Sequence, residues 1–219
     1  MRKILWFATN NDNKVKEIQR LLPEWQIKSL KDLSYNLDIV EDKKTFEGNA
    51  LLKAKVLAKI VLEPVIADDS GLCIKNMNNF PGVFSARWAL PETDEIKIND
   101  FLLNKMLEQN LIDPEQRKAT FKTVIVFYDP IFHYTEYAKG KVDGIIALKQ
   151  SGKMGFNYDK IFIPDKQNRT FAEMTLDEKN QFSHRAKAAK KLESILQRYI
   201  QFKDVEILET VKLEDLFKK

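Results

Sequence analysis

Two aspartates stand side by side in Pro64-Val65-Ile66-Ala67-Asp68-Asp69-Ser70-Gly71, where a short apolar strand is expected to run out. Adjacent carboxylates at the end of a buried strand repel one another and resist desolvation, so they call for a bound cation or for a proton transfer. Magnesium takes oxygen ligands of this kind together with substrate phosphates. The competing account is an acid pair solvated in a turn, with Gly71 supplying a positive φ.

A second candidate is Thr9-Asn10-Asn11-Asp12-Asn13-Lys14, placed where a strand ends and a helix begins. Backbone amides at a helix N-terminus favour an anion, and a phosphate suits that position. Lys14 in the first turn opposes the helix dipole and is unfavourable by a few tenths of a kcal/mol unless an anion compensates it. An Asn-rich turn capped by Asp12 or Asn13 is the plainer alternative.

The third is Gly155-Phe156-Asn157-Tyr158-Asp159, with Lys179, Ser183, His184 and Arg185 downstream. An aromatic pair in a Gly-containing loop suits stacking on a base, and Lys, His and Arg offer donors to its edge. Against this, Phe156 and Tyr158 serve equally as core, with His184, Lys179 and Arg185 at the surface. Lys53 lies among Ala50, Leu51 and Ala54, so its ammonium must snorkel outward or meet an anion. Glu41 and Glu47 flank this region and carry no signal alone.

These residues need elements to hold them. Ile4–Thr9 reads as a buried first strand, and Lys14–Leu22 as a helix stopped by Pro23. Asn49–Leu62 reads as a second helix, followed by the short strand that ends at the aspartates, and Ile96–Leu107 as a third helix. Ala119–Tyr128 and Tyr134–Ala147 form an expected antiparallel pair across a loop near Pro130. A loop over 149–159 leads to a strand at Ile161-Phe162-Ile163. Thr175-Leu176-Asp177-Glu178 has capping-box spacing, which assigns Glu178 to capping, and a periodic helix follows Ser183. Alternating helices and strands give an α/β class, and the antiparallel pair makes the central sheet mixed.

The chain has 219 residues, 44% of them apolar, enough for one substantial core or two lobes flanking a cleft. No linker composition and no internal repeat divides it. Cys73 is the only cysteine, which excludes an internal disulfide and suits a reducing cytosol. No segment stays apolar long enough for a signal peptide core or a membrane span, so a soluble, cytoplasmic protein is expected. The net charge of +4 suits an anionic partner, but Lys and Arg are interleaved with acids.

Taken in order, the segments ATNNDNKVKEI, TFEGNALLKAK, PVIADDSGLCI, FPGVFSAR, GFNYDKIFIP and RTFAEMTLDEKNQFSHRAKA resemble the inosine triphosphate pyrophosphatase family, from Ile4 to about Leu196. The resemblance implies a mixed sheet flanked by helices, in two lobes with the active cleft between them. It also implies a homodimer and magnesium-dependent hydrolysis of ITP, dITP and XTP to the monophosphate and diphosphate, with no nucleic-acid or membrane partner. By position it makes Thr9, Asn11, Lys14, Lys53 and Ser70 phosphate contacts and Asp69 the general base. Glu41 falls at a metal-binding acid, joined in the metal set by Asp69 or Asp68. Phe156, Tyr158, Asp159, Lys179, His184 and Arg185 match the base-recognition set.

Three positions depart from the family pattern. Gly48 replaces an acid near the metal site, for which Glu47 is a possible substitute; Asn157 and Lys160 replace Gly and Pro in the base loop. The expected organisation is one two-lobed domain over 1–202 and an extension over 203–219, where Val205, Leu208, Val211, Leu213 and Leu216 suit packing on the body or a partner. Three rival readings are a Maf-type nucleotide pyrophosphatase, a nucleic-acid-binding module, and a family member that binds nucleotides without hydrolysis.

Overall fold

The computed structural model describes residues 3–216, with side chains described through residue 205. Strand β1 (Lys3–Phe7) is paired in parallel with β2 (Trp25–Ser29) on one side and with β3 (Val65–Ile74) on the other. Helix α1 (Asp12–Leu21) crosses from β1 to β2, and α2 (Phe46–Val61) leads into β3. Beyond β3 the pairing is antiparallel, through β5 (Lys118–Asp129), β6 (Tyr134–Ile146) and β7 (Phe162–Pro164), with the two-residue β4 (Phe80–Pro81) beside β3. Among the described residues the order is β2-β1-β3-β5-β6-β7, a mixed sheet. The remaining helices are α3 (Glu95–Glu108), α4 (Leu176–Asn180) and α5 (His184–Leu216).

The first three expected helices and the antiparallel pair are present with ends shifted by no more than three residues. Strand β2 was not anticipated, because five residues reading WQIKS show no long apolar signal. The strand carrying the aspartates is a correction. It does not end at Asp68-Asp69 but runs ten residues through them to Ile74, because β5 pairs with it along its whole length. Gly71 accordingly has no positive φ. Its missing Cβ is needed for space, since one there would stand 2.2 Å from the Gly82 carbonyl oxygen.

Alternation along β3 divides its side chains between two faces. Ile66 packs with Leu5, Phe7 and Ile18 and with Ala188, Leu192 and Ile195 of α5, whereas Val65 and Ala67 pack with Ala50, Ala54, Leu57 and Ala58 of α2. Farther along, Leu72 and Ile74 enter a third cluster with Phe121, Val142, Phe162 and Phe171. The long strands therefore serve as a common spine for all three clusters, and those of Ile66 and Leu72 share one face. Between them the paired row Ser70, Thr123 and Gly140 crosses the sheet with small or polar residues.

Helix α5 continues unbroken past residue 203, the expected start of the extension. Phe202 still packs on Tyr134, while Val205 is half exposed. The side chains of Leu208, Val211, Leu213 and Leu216 lie outside the described residues.

Candidate active site

Because neighbouring residues of a strand face opposite ways, Asp68 and Asp69 do not confront one another. Asp68 turns toward α1 and α5. Lys14 Nζ donates to its Oδ1 at 2.8 Å, Ser70 Oγ to its Oδ2 at 2.8 Å and Arg185 Nη2 to Oδ2 at 3.3 Å. Burial alone would raise this carboxyl, but Lys14, Arg185 and Lys53 hold it far below the usual carboxylate range.

Asp69 turns toward α2, where Asn49 Nδ2 donates to Oδ2 at 3.0 Å and the Ser70 amide to Oδ1 at 3.0 Å. Its carboxyl is pushed up to about 6, first by burial and then by Glu41, with Lys53 opposing. Four-residue spacing puts Asn49 and Lys53 on one face of α2, above Asp69. Lys53 does not snorkel; it is buried, its ammonium bonded to Glu41 Oε1. Burial lowers the pKa of that ammonium, but Asp68, Glu41 and Asp69 raise it more. Arg87 Nη1 holds the other Glu41 oxygen at 3.0 Å.

The strand-to-helix turn corrects a second expectation. Asn11 is the cap, its Oδ1 accepting from the amides of Asn13 at 2.9 Å and Lys14 at 3.2 Å, while Thr9 Oγ1 accepts from the Asn11 amide at 3.1 Å. Those helix amides are thus already occupied by a side chain. The anion that compensates Lys14 is Asp68 on the neighbouring strand.

At the opposite end, Lys179 Nζ lies between Asp159 Oδ2 at 2.7 Å and Glu17 Oε1 at 2.8 Å, and 5.0 Å from the Phe156 ring centre. Arg185 Nη1 bonds the second Glu17 oxygen. Glu17 was not anticipated, although an acid on the core-facing stripe of α1, three residues after Lys14 and next to Ile18, was a readable signal. Burial would raise its carboxyl, but Arg185 and Lys179 lower it. His184 stacks on Phe121 at 4.6 Å with ring planes 5° apart. Burial, then Arg185 and Lys179, push its pKa well below the usual value, so the ring is neutral at pH 7. Among the described residues its Nδ1 and Arg185 Nε are buried without a partner. Tyr158 Oη donates to the Ser85 carbonyl at 2.6 Å and accepts from Trp88 Nε1 at 2.7 Å.

One cleft of about 270 Å3 collects Thr9, Asn11, Lys14, Glu41, Lys53, Asp69, Ser70, Phe156, Tyr158, Asp159, Lys179, His184 and Arg185. Its volume is near the lower end of small-molecule sites. Asp68 lies behind it, fully buried. Glu47 faces elsewhere: it pairs with Lys139 at 2.6 Å and lines a larger open groove of about 1440 Å3 rimmed by lysines. That removes Glu47 as a substitute for the acid missing at Gly48, whose added Cβ would come within 2.9 Å of Lys43 Cβ. Asn157 holds φ +52°, a conformation open to glycine and tolerated by asparagine, which accounts for one departure in the base loop.

Among the described residues no three acidic, histidine or cysteine side chains gather to hold a metal unaided. Asp69 and Glu41, facing one cleft, nonetheless fit an ion of the magnesium type, which is held by one or two carboxylates with substrate oxygens completing its shell. Asp68 does not fit that role, because it is fully buried behind the cleft wall and, unlike Glu41 and Asp69, does not line the cleft.

The model of the Ham1 family matches residues 5–195. The dITP/XTP pyrophosphatase of Bacillus subtilis (strain 168) is 42% identical over 192 residues, covering 87% of this chain and 95% of that protein. Its counterpart in Porphyromonas gingivalis is 41% identical over 197 residues, covering 90% and 98%. The structure of the Staphylococcus aureus Ham1 protein matches with TM-score 0.78 at 34% identity, over 90% of this chain and all of that one. A HAM1 protein from Coxiella burnetii matches at TM-score 0.80 and 34% identity, over 90% and 99%.

Proposed function

This chain belongs to the Ham1 family, and from that premise we propose that it hydrolyses non-standard purine nucleoside triphosphates, dITP, XTP and ITP among them, to the monophosphate and diphosphate. The observation that carries the reading is the joint presence, in one cleft, of a desolvated carboxylate facing a second acid and two lysines, and of buried donors around an aromatic loop.

In this reading Asp69 takes the proton from a water that attacks the α-phosphorus. The bond from that phosphorus to its bridging oxygen breaks, and diphosphate leaves. Lys14 and Lys53 face the charge growing on the leaving oxygens, held in place by Asp68 and Glu41 rather than recruited during the reaction. Glu41 and Asp69 are the ligands for a magnesium ion, which when bound offsets the charge that two carboxylates and a triphosphate bring together. Asp68 serves as the buried counter-ion of Lys14 and Arg185 instead of a metal ligand.

Base selection falls to Lys179, His184 and Arg185. A 6-keto purine accepts from these donors, whereas the amine of adenine would leave them unpaired. The neutral His184 ring, with Nδ1 lacking a partner, supports this assignment. Phe156 supplies the stacking face, Asp159 orients Lys179, and Tyr158 braces the loop. Thr9, Asn11 and Ser70 line the phosphate end. The reading extends to a homodimer in the cytoplasm; among the described residues no helix is long and apolar enough to cross a membrane.

A panel of ITP, dITP, XTP, GTP and ATP, followed by diphosphate release with and without magnesium, tests the reading. Magnesium-dependent release from the first three at rates well above ATP is expected. Equal turnover of ATP would refute the donor argument, and salt-sensitive oligonucleotide binding without diphosphate release would favour the nucleic-acid reading.

A further inference from the structure

The segment following β4 lines one edge of the cleft through Ser85 and Ala86. It lies against β3 three residues beyond Asp69: Ser85 Oγ accepts from the Leu72 amide at 2.9 Å and donates to the Gly82 carbonyl at 2.7 Å. Gly71 lets it approach, since a Cβ there would be 2.7 Å from Ser85 Oγ. The amides of Arg87 and Trp88 both donate to the Phe84 carbonyl, at 2.8 and 2.9 Å, so the turn is internally tied. These two neighbours then reach in different directions. Arg87 grips Glu41, and Trp88 grips Tyr158, whose hydroxyl returns a bond to the Ser85 carbonyl.

We propose that residues 82–88 form a positioning strap that couples the base loop to Glu41, with Trp88 and Arg87 as its two grips. Core closure explains the Trp88 ring, which packs edge-on against Phe80 at 5.0 Å, but it demands neither polar grip. Arg87 is a quarter exposed and has water within reach, yet its guanidinium is turned onto a cleft carboxylate. There it competes with any cation for Glu41. A base settling against the loop of Phe156 and Tyr158 shifts the hydroxyl that Trp88 holds, and the tied turn carries that shift to Arg87. Loosening Arg87 frees a Glu41 oxygen, so an occupied base site favours the cation, and by linkage the cation favours the base.

This inference rests on the proposed nucleotide cleft and on Glu41 as a metal ligand. Its test uses inosine, which fills the base site without chelating metal, and Mn2+ as the paramagnetic probe. Saturating inosine is expected to raise the Mn2+ affinity of the full chain about fivefold, the scale of one buried hydrogen bond. Trp88→Phe keeps the ring and loses the donor; it should bind inosine and Mn2+ with no change in either when the other is added. Arg87→Met, at the cleft margin, should bind Mn2+ more tightly from the outset and gain nothing from inosine. It carries the test if Trp88→Phe fails to fold. A native-size inosine response in either folded variant overturns the strap, as does an unresponsive native protein that binds both probes. A native protein that binds neither overturns the cleft reading itself.

Discussion

Asp68 and Asp69 share a chemistry and a backbone yet are driven in opposite directions by what stands over each face of β3. Asp68 is neutralised by Lys14 and Arg185, whereas Asp69 meets an amide donor and another acid. With Asp69 pushed up to about 6 against 3.8 unfolded, its contribution to stability is fully present below about pH 4 and is lost as pH rises to about 6. Asp69→Asn should therefore abolish diphosphate release while spareing most nucleotide affinity. Above pH 6 it should also be more stable than the native chain by up to about 3 kcal/mol, a gain that vanishes near pH 4, read by denaturant titration at both values. Native activity in the acid range should rise with pH as this carboxyl ionises. Glu17 presents the converse case. Glu17→Gln strips a buried charge from between Lys179 and Arg185 and should lower stability by about 3–5 kcal/mol.

Helix α5 delivers His184 and Arg185 to the cleft only because its first turn lies directly on β6. The contact point is Gly140, where a Cβ would stand 1.9 Å from the His184 carbonyl oxygen and 2.7 Å from the Ala188 amide nitrogen. Gly140→Ala should lift this turn, lower stability by about 1–3 kcal/mol and weaken ITP preference over ATP more than it weakens tripolyphosphate binding, measured by calorimetry and competition. The first turn of α2 is a contrasting case. Glu47 sits there beside the family's acid position but points to Lys139, so Glu47→Gln should leave turnover within about twofold and shift stability by under about 1 kcal/mol. A larger fall in turnover would reinstate Glu47 near the metal site.

At the scale of the molecule, the cleft lies along the seam between the cluster of Ile66 and the cluster of Leu72, which share β3, β5 and β6. The row Ser70, Thr123 and Gly140 cannot fill a core, and the charged groups of α1, α2, α4 and α5 converge above and below it. A nucleotide bridging the seam touches elements from both regions, so binding must stabilise the whole fold. ITP at one hundred times its Kd should add about 2.7 kcal/mol to unfolding stability, and ATP at the same concentration markedly less; equal shifts would place selectivity outside the folded cleft.

The α/β class, the positions of most helices, the capping box at Thr175 and most of the charged residues that line the cleft were legible in the sequence. Periodicity, capping chemistry and motif order are local properties, carried by residues a few places apart. The seam itself was legible only as a resemblance. What folding alone decided was orientation. Apolar Pro64–Ala67 predicts a strand but not its length, which β5 set by pairing through two acids that would otherwise end it. Nothing local distinguishes Asp68 from Asp69, assigns Lys14 to an aspartate 54 residues away, or turns Glu47 to Lys139. Those choices depend on which charged side chains distant segments bring to each face of a strand, because the energy of a buried charge is set by its neighbours in space.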